Sequence, residues 1–287
     1  MRTIRQLGAA LTALTLSAFA VSPASAANVL VASANGLFGN DCSVGSPCNL
    51  AKALSVANPG DFIQLITGGN YFNATVSMEI TILSTAGATL SGVASPCLTI
   101  NAGASDVVTL DGVNCVAASG GNHGIQFNTG EKLRLRNSII RGVTDAACGV
   151  FFQPNTNAEL NIESSIISEN GTNGGGSGVC VLPRANADVT GVFDRLTAQN
   201  NRYGLRTNAG AAAVTNILIQ RSVFSGNRFG IHSSGAGSLL RISDTSIYGN
   251  VTGLSIASGG SLISLQGNVL RANGTNGAFT GAGEPKE

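Results

Sequence analysis

Apolar and polar residues follow one another in a pattern that returns about every two dozen residues along most of the chain. Each period has a β-branched or leucine-rich run, then a second apolar pair, then a third apolar position after a glycine. In one period these are Ile217 to Ile219, Val223 with Phe224, and Ile231. Three short strands per period, bounded by Gly, Asn, Ser or Asp, are typical of a β-solenoid coil. The chain is therefore predicted to be all-β, with its strands stacked coil upon coil.

An Asn, followed a few residues later by a Gly, marks one bend of each coil. In four aligned segments the Asn positions are Asn201, Asn227, Asn250 and Asn273. Because stacked strands lie about 4.8 Å apart, this column is predicted to form an asparagine ladder. The glycines assigned to one column are separated by 26, 26, 23 and 24 residues and are Gly178, Gly204, Gly230, Gly253 and Gly277. A leucine-rich repeat is excluded because its L-x-x-L-x-L frame is missing, and a propeller needs periods of about 40 residues.

The domain organisation follows from where the repeat begins and ends. Residues 1–26 combine Arg2 and Arg5 with an apolar stretch and end in Ala24-Ser25-Ala26, which predicts a cleaved signal peptide. The β-helix domain is predicted over residues 27–279, and residues 280–287 are expected to be a flexible tail. No later segment has the roughly 20 apolar residues of a membrane span. The mature protein is therefore expected to be secreted, periplasmic or at the cell surface.

The exposed first coil needs a cap, which is predicted at about residues 27–60. A short helix is expected from Asn49 to Ala57, with Asn49 as N-cap and Pro59-Gly60 as the stop. Strands are expected to follow at Phe62 to Thr67 and at Ile80 to Leu83.

Composition favours a single folded domain. The chain has 38 Gly among 287 residues, 11% charged residues and no Trp. It is too apolar for a disordered chain and too rich in Gly for a helical protein. The formal net charge of +1 lacks the clustered Lys and Arg that bind phosphates, so nucleic acid is not expected as a partner.

Six cysteines follow the predicted signal peptide, and an even number in an exported protein permits disulfides. Cys42 and Cys48 enclose a short loop of turn residues and are predicted to form a disulfide. Zinc binding would need more ligands at close spacing. The pairing of the other four stays open at this point, and these are Cys97, Cys115, Cys148 and Cys180.

The segments quoted above resemble the pectate-lyase-like superfamily, and more closely a group of exported bacterial β-helix repeat proteins without a characterised function. The resemblance rests on Gly39-Asn-Asp-Cys42, Pro47-Cys48, Asn58 to Ile66 and Ala104 to Gly112, and it extends over nearly all of the mature chain. It implies a right-handed parallel β-helix with a short N-terminal cap helix. Function does not follow from this fold, because one fold hosts many activities.

The superfamily contains pectate lyases, polygalacturonases and uronate epimerases, so the resemblance raises the possibility of a catalytic site. Polygalacturonases resemble one another in clustered aspartates and a Gly-His-Gly motif, whereas Asn122-His123-Gly124 has no Asp pair beside it. His123 is therefore assigned to a turn. Calcium prefers six to eight oxygen ligands, and the coil alignment gathers no three Asp on one face, so no metal site is predicted. Calcium would be expected as a cofactor only if the chain were a lyase.

Two outward columns carry most of the charge. Arg195, Arg221 and Asp244 align beside Glu163 and Asp194, which predicts surface ion pairs along the axis rather than catalytic groups. A second column is predicted to be exposed on the strand after the Gly, and its members are Gln126, Phe151, Cys180, Arg206, His232 and Ser255.

Arg202 and Arg228 flank this second column, so an anionic ligand is expected there, at Arg202, Arg206, Arg228 and His232. The sequence favours a secreted, noncatalytic β-helix protein that binds a polysaccharide or another cell-surface component. The alternative is a lyase, hydrolase or epimerase acting on an acidic glycan, with Arg206 and His232 as weak catalytic candidates. The oligomeric state stays open.

Overall fold

The fold is a right-handed parallel β-helix, as the sequence analysis predicts. The computed structural model describes residues 27–85, 87–92, 94–117, 120, 122–171, 175–184, 186–210, 212–281 and 283. The predicted signal peptide lies outside the described residues. Each complete coil contributes one strand to each of three parallel sheets, which we name sheets A, B and C in the order in which the chain visits them.

Sheet A has ten strands, Val29–Leu37, Phe62–Leu65, Ile80–Ser84, Val107–Asp111, Lys132–Arg136, Ala158–Glu163, Val189–Asp194, Thr215–Gln220, Ser238–Ser243 and Ser261–Ser264. Sheet B has nine strands, Gly69–Phe72, Ala88–Gly92, Asn114–Ala117, Ile139–Arg141, Ile166–Ser168, Thr197–Gln199, Val223–Ser225, Ser246–Tyr248 and Val269–Arg271. Sheet C has eight strands, Ala74–Val76, Leu98–Asn101, Ile125–Thr129, Cys148–Phe152, Ser177–Val181, Tyr203–Asn208, Phe229–Ser234 and Thr252–Ala257.

The core consists of inward columns in which each apolar side chain rests on its equivalent in the next coil. One column of sheet A is fully buried along eight coils, and its members are Ile63, Ile82, Leu110, Leu135, Ile162, Phe193, Ile219 and Ile242. Burial of one such side chain contributes about 1.5–3 kcal/mol. A coil by itself has nothing to cover this column, so the coils are stable only as a stack.

The N-terminal end is capped by the helix Leu50–Val56. The side chain of Asn49 accepts a hydrogen bond from the backbone N–H of Lys52, which satisfies one of the N–H groups left free at a helix start. Leu50, Ala53 and Leu54 are buried against the first coil. The cap helix and its N-cap therefore agree with the sequence analysis.

The predicted asparagine ladder is continuous along the bend between sheets B and C. The side-chain amide of Asn201 donates to Oδ1 of Asn227 at 3.1 Å, and Asn227 and Asn250 repeat this contact at 3.0 and 2.9 Å to Asn250 and Asn273. Each Oδ1 also accepts from the backbone N–H of the Asn below it. The ladder begins one coil earlier than predicted, because Asn170 makes the same contacts to Asn201.

The glycine column requires one correction. A Cβ on Gly204 would lie 2.6 Å from the carbonyl oxygen of Gly230, so stacking here requires glycine. Gly277 was placed in the same column, but the backbone N–H of Gly253 donates to the carbonyl of Thr275, which sets Asn276 opposite Gly253. Gly277 is displaced by one position because it lies four residues after its Asn, whereas Gly204, Gly230 and Gly253 lie three residues after theirs.

All six cysteines form disulfides, namely Cys42–Cys48, Cys97–Cys115 and Cys148–Cys180. The first links the ends of the short loop identified in the sequence. The other two join residues 18 and 32 positions apart, and stacking of the coils brings them together. Such bonds are compatible with an extracellular or periplasmic protein.

The C-terminal end is covered by the segment that follows the last strand. The backbone N–H of Thr280 donates to the carbonyl of Leu262, and the Thr280 hydroxyl accepts from the N–H of Leu262. Phe279 packs, partly buried, against the core. Thr280, assigned to the flexible tail, therefore pairs with the final strand of sheet A.

Replacing Asn227 with Ala should destabilise the fold by about 3 kcal/mol, because Asn201 and the carbonyl of Ala198 would lose buried hydrogen-bond partners. The free energy of unfolding, measured by denaturant titration under nonreducing conditions, checks this. The matched control is Asn208→Ala, since Asn208 is exposed. Equal losses in the two variants would contradict a structural role for the ladder.

Candidate functional site

The candidate site lies on the outer surface of sheet C, directly after the asparagine ladder. Two successive strands, Tyr203–Asn208 and Phe229–Ser234, pair in parallel with Arg206 opposite His232. Because side chains alternate along a strand, Leu205 and Ile231 are buried and Arg206 and His232 point outward. We name this surface the Arg–aromatic face, and it comprises Arg202, Tyr203, Arg206, Arg228, Phe229 and His232.

The outward column predicted from the sequence has the expected register, with one member in each coil, from Gln126 through Phe151, Cys180, Arg206 and His232 to Ser255. One member, Cys180, is buried and not exposed as the sequence predicts. Cys180 is only 1% exposed, because its sulfur is bonded to Cys148 and is thereby held against the fold. The outward column is therefore interrupted at Cys180, and the Arg–aromatic face begins in the following coil.

Two stacked rings hold the cations of this face in place. The ring centres of Tyr203 and Phe229 are 4.7 Å apart and the ring planes are 11° from parallel. Each of the two coils contributes one ring to this stack. The guanidinium groups of Arg202 and Arg206 lie 5.8 and 5.7 Å from the centre of the Tyr203 ring, and that of Arg228 lies 5.8 Å from the Phe229 ring. Such cation–π contacts stabilise by about 0.5–1 kcal/mol at exposed sites.

The two rings were not recognised as site residues from the sequence. A signal was present, because Arg-Tyr-Gly and Arg-Phe-Gly follow the ladder Asn in successive coils. The low aromatic content of the chain, 5% Phe, Trp and Tyr, does not predict a ring stack.

His232 lies beside the ring stack as an uncharged group at neutral pH. Its ring is 5.4 Å from Tyr203 and 6.3 Å from Phe229, and its Nδ1 is 3.0 Å from Oγ of Ser255. Burial of the imidazole lowers the pKa of His232, and the nearby Arg206 charge lowers it further. The permanent charge of the face therefore comes from guanidinium groups.

These guanidinium groups create a local positive field. Arg228 is exposed, and Arg206 is partly exposed and donates to the carbonyl of Gly175 at 3.4 Å. Within the part of the chain that the structure describes, no carboxylate forms an ion pair with Arg206 or Arg228. A cleft of about 250 Å³, lined by Asn200, Asn201, Arg202, Gly226 and Arg228, borders the face. An anion approaching it would meet positive charge from two coils.

The other charged column lies at the bend between sheets A and B and is internally neutralised. Arg195 contacts Glu163 at 2.6 Å and Asp194 at 2.8 Å, and Arg221 forms a bidentate pair with Asp194 at 2.7 Å. The hydrogen bond from Arg221 holds the pKa of Asp194 below its usual range. A cleft of about 270 Å³ beside this column contains both Arg and acidic side chains. These contacts are the ion pairs that the sequence analysis expected.

A calcium site of the kind considered for a lyase is not formed by these side chains. Among the residues that the structure describes, no three His, Cys, Asp or Glu side chains are grouped so that they could hold a metal ion. The carboxylates of Glu163 and Asp194 face arginines, which already occupy the oxygens that a metal would need. The described residues therefore do not fit calcium at this column.

His123, which the sequence analysis assigns to a turn, makes two contacts with the neighbouring coil. Its ring stacks on Phe151 at 3.8 Å and 3°, and its Nδ1 accepts a hydrogen bond from the backbone N–H of Cys148 at 3.0 Å. Burial lowers the pKa of His123 to about 4. The imidazole is therefore neutral at pH 7, with its proton on Nε2.

A solved structure with a similar fold agrees with the fold class. The chain is a right-handed parallel β-helix, and it is similar to the crystal structure of pectate lyase Pel9A, with a TM-score of 0.58 and 17% sequence identity over 84% of this chain and 68% of that chain. At this identity the likeness concerns the fold. No protein-family profile and no curated protein sequence matches the chain. No helix among the described residues is long and apolar enough to cross a membrane.

Lowering the pH from 6.5 to about 4 should destabilise the protein through His123. The unfolded chain binds a proton at the ordinary pKa of 6.5 and the folded protein only near a pKa of about 4, so the stabilisation is complete above pH 6.5 and is lost as the pH falls. With solvent screening of the half-buried ring, the loss is about 2 kcal/mol. The free energy of unfolding of the wild type and of His123→Gln, measured across this range, should converge in acid. Parallel pH profiles would show that His123 is not the titrating group.

Proposed function

We propose that this chain is a secreted, noncatalytic β-helix protein that binds an acidic polysaccharide through the Arg–aromatic face. One observation carries the proposal. The guanidinium groups of Arg206 and Arg228 lie over the aromatic rings of Tyr203 and Phe229, and neither forms an ion pair with a carboxylate among the described residues. The chain as a whole is nearly neutral, with a formal net charge of +1, so this field is local.

Planar guanidinium groups favour carboxylate or sulfate groups, because two N–H donors match two oxygens. A rigid sheet that presents such groups in successive coils suits an extended ligand better than a compact one. The similar fold of pectate lyase Pel9A, an enzyme named for an acidic polysaccharide, is consistent with this ligand class. The three disulfides and the predicted signal peptide are consistent with contact with extracellular glycans.

A second candidate function is supported by His232. Its lowered pKa leaves the imidazole unprotonated at neutral pH, and Arg206 lies in the neighbouring coil. A neutral imidazole next to a guanidinium is suited to removing a proton from a sugar whose carboxylate is bound by that guanidinium. The chain would then act as a lyase or epimerase on the same glycan.

The binding proposal is tested by titrating the purified protein with polyuronate and with a neutral polysaccharide, using isothermal calorimetry at low and high salt. We expect binding of the polyuronate only, weakened by salt, and a loss of about tenfold in affinity in Arg206→Ala and in Arg228→Ala. Arg141→Ala is the matched control, because Arg141 is exposed on sheet B. Equal binding by all four proteins would overturn the proposal.

A turnover assay distinguishes the two candidate functions. The protein is incubated with the same polyuronate, with and without Ca²⁺, and new unsaturated or reducing ends are measured, together with epimerised units by NMR. Binding without new ends and without epimerised units supports the noncatalytic function. New ends that form with the wild type and disappear in both Arg206→Ala and His232→Gln would favour the enzyme.

A further inference from the structure

The Arg–aromatic face contains a similar arrangement twice, with His232 in the second copy where the first has Arg206. One coil supplies Arg202, Tyr203 and Arg206, and the next supplies Arg228, Phe229 and His232 in the equivalent positions. The two ring centres are 4.7 Å apart, which is the spacing of the coils themselves. A surface that repeats by translation is complementary to a ligand that repeats along the same direction, whereas a small single anion could use one copy only.

The repetition extends over two coils and then ends. In the following coil the equivalent positions are Val251, Thr252 and Ser255, which carry no charge. In the preceding coil Ser177 lies opposite Tyr203 and the buried Cys180 lies opposite Arg206. The cationic surface is therefore two coils long.

The rings act as supports for the cations rather than as a platform for sugars. Tyr203 and Phe229 stack on each other, so their facing surfaces are covered, and the guanidinium groups lie over the rings. Recognition must then depend on the charged groups of the ligand. This favours a polymer with an acid on every unit over one in which charged and neutral sugars alternate.

We infer that the Arg–aromatic face binds two consecutive units of a polyuronate that runs parallel to the solenoid axis, with one carboxylate at each coil. This inference rests on the proposed binding function and specifies its ligand and register. The first acid lies at the Arg202 and Arg206 coil, and the second at the Arg228 and His232 coil. Arg228 is the guanidinium that the second coil contributes.

Oligomers of galacturonic acid with one, two, three and six units test the inference in competition against fluorescent polyuronate. We expect a gain of about tenfold in affinity from one unit to two, because a second charged contact forms. From three units to six the gain should be less than about threefold, because no further cation is reached. Equal affinity for one and two units, or a steady tenfold gain at every step, would overturn the register.

Two matched changes, one in the protein and one in the ligand, test where the second carboxylate binds. The two-unit oligomer should bind Arg228→Gln about as weakly as a two-unit oligomer with one methyl-esterified carboxyl binds the wild type. Arg141→Gln should bind like the wild type. If Arg228→Gln retains the full preference for two units, the second acid lies elsewhere and the inference is wrong. If no oligomer, including the hexamer, binds the wild type, the proposed binding function itself fails.

Discussion

Each buried side chain of this β-helix rests on its equivalent one coil away, and that contact determines both the interior and the surface. The strands are about 4.8 Å apart, so a coil has no interior of its own and is stable only between neighbours. The column from Ile63 to Ile242 illustrates the apolar case. The asparagine ladder illustrates the polar case, because buried amides at one bend are tolerated only when the coil above supplies the oxygen.

The same constraint repeats charged side chains on the surface. Groups of like charge one coil apart repel by about 1 kcal/mol in water, and more where solvent is excluded. At the bend between sheets A and B the repulsion is offset by acids, since Glu163 and Asp194 alternate with Arg195 and Arg221. On the Arg–aromatic face the cation–π contacts with the rings offset part of the repulsion between the arginines. The two charged columns therefore differ, because acids contact the arginines of the first and aromatic rings contact the arginines of the second.

The parts of the fold that repeat could be predicted from the sequence, and the parts that depend on irregular segments could not. The columns of Asn201 and Arg206 have the predicted register because coils in the second half of the chain differ in length by only a few residues. Asn170 was missed as a ladder residue because the coil that follows it is longer, which separates Asn170 from Asn201 by 31 residues. The pairs Cys97–Cys115 and Cys148–Cys180 depend on which coils are adjacent, and neither spacing nor flanking residues indicate that.

For the candidate site, the sequence indicated which face carries cations but not how they are held. The positions of Arg206 and His232 follow from strand alternation, which is a local property. The stack of Tyr203 on Phe229 is a contact between coils, and it decides that the guanidinium groups, rather than the ring faces, meet the solvent. A fold shared with a pectate lyase at 17% identity cannot supply this information, because recognition depends on side chains that the fold does not specify. Any ligand specificity of this face therefore depends on the charged side chains of these two coils.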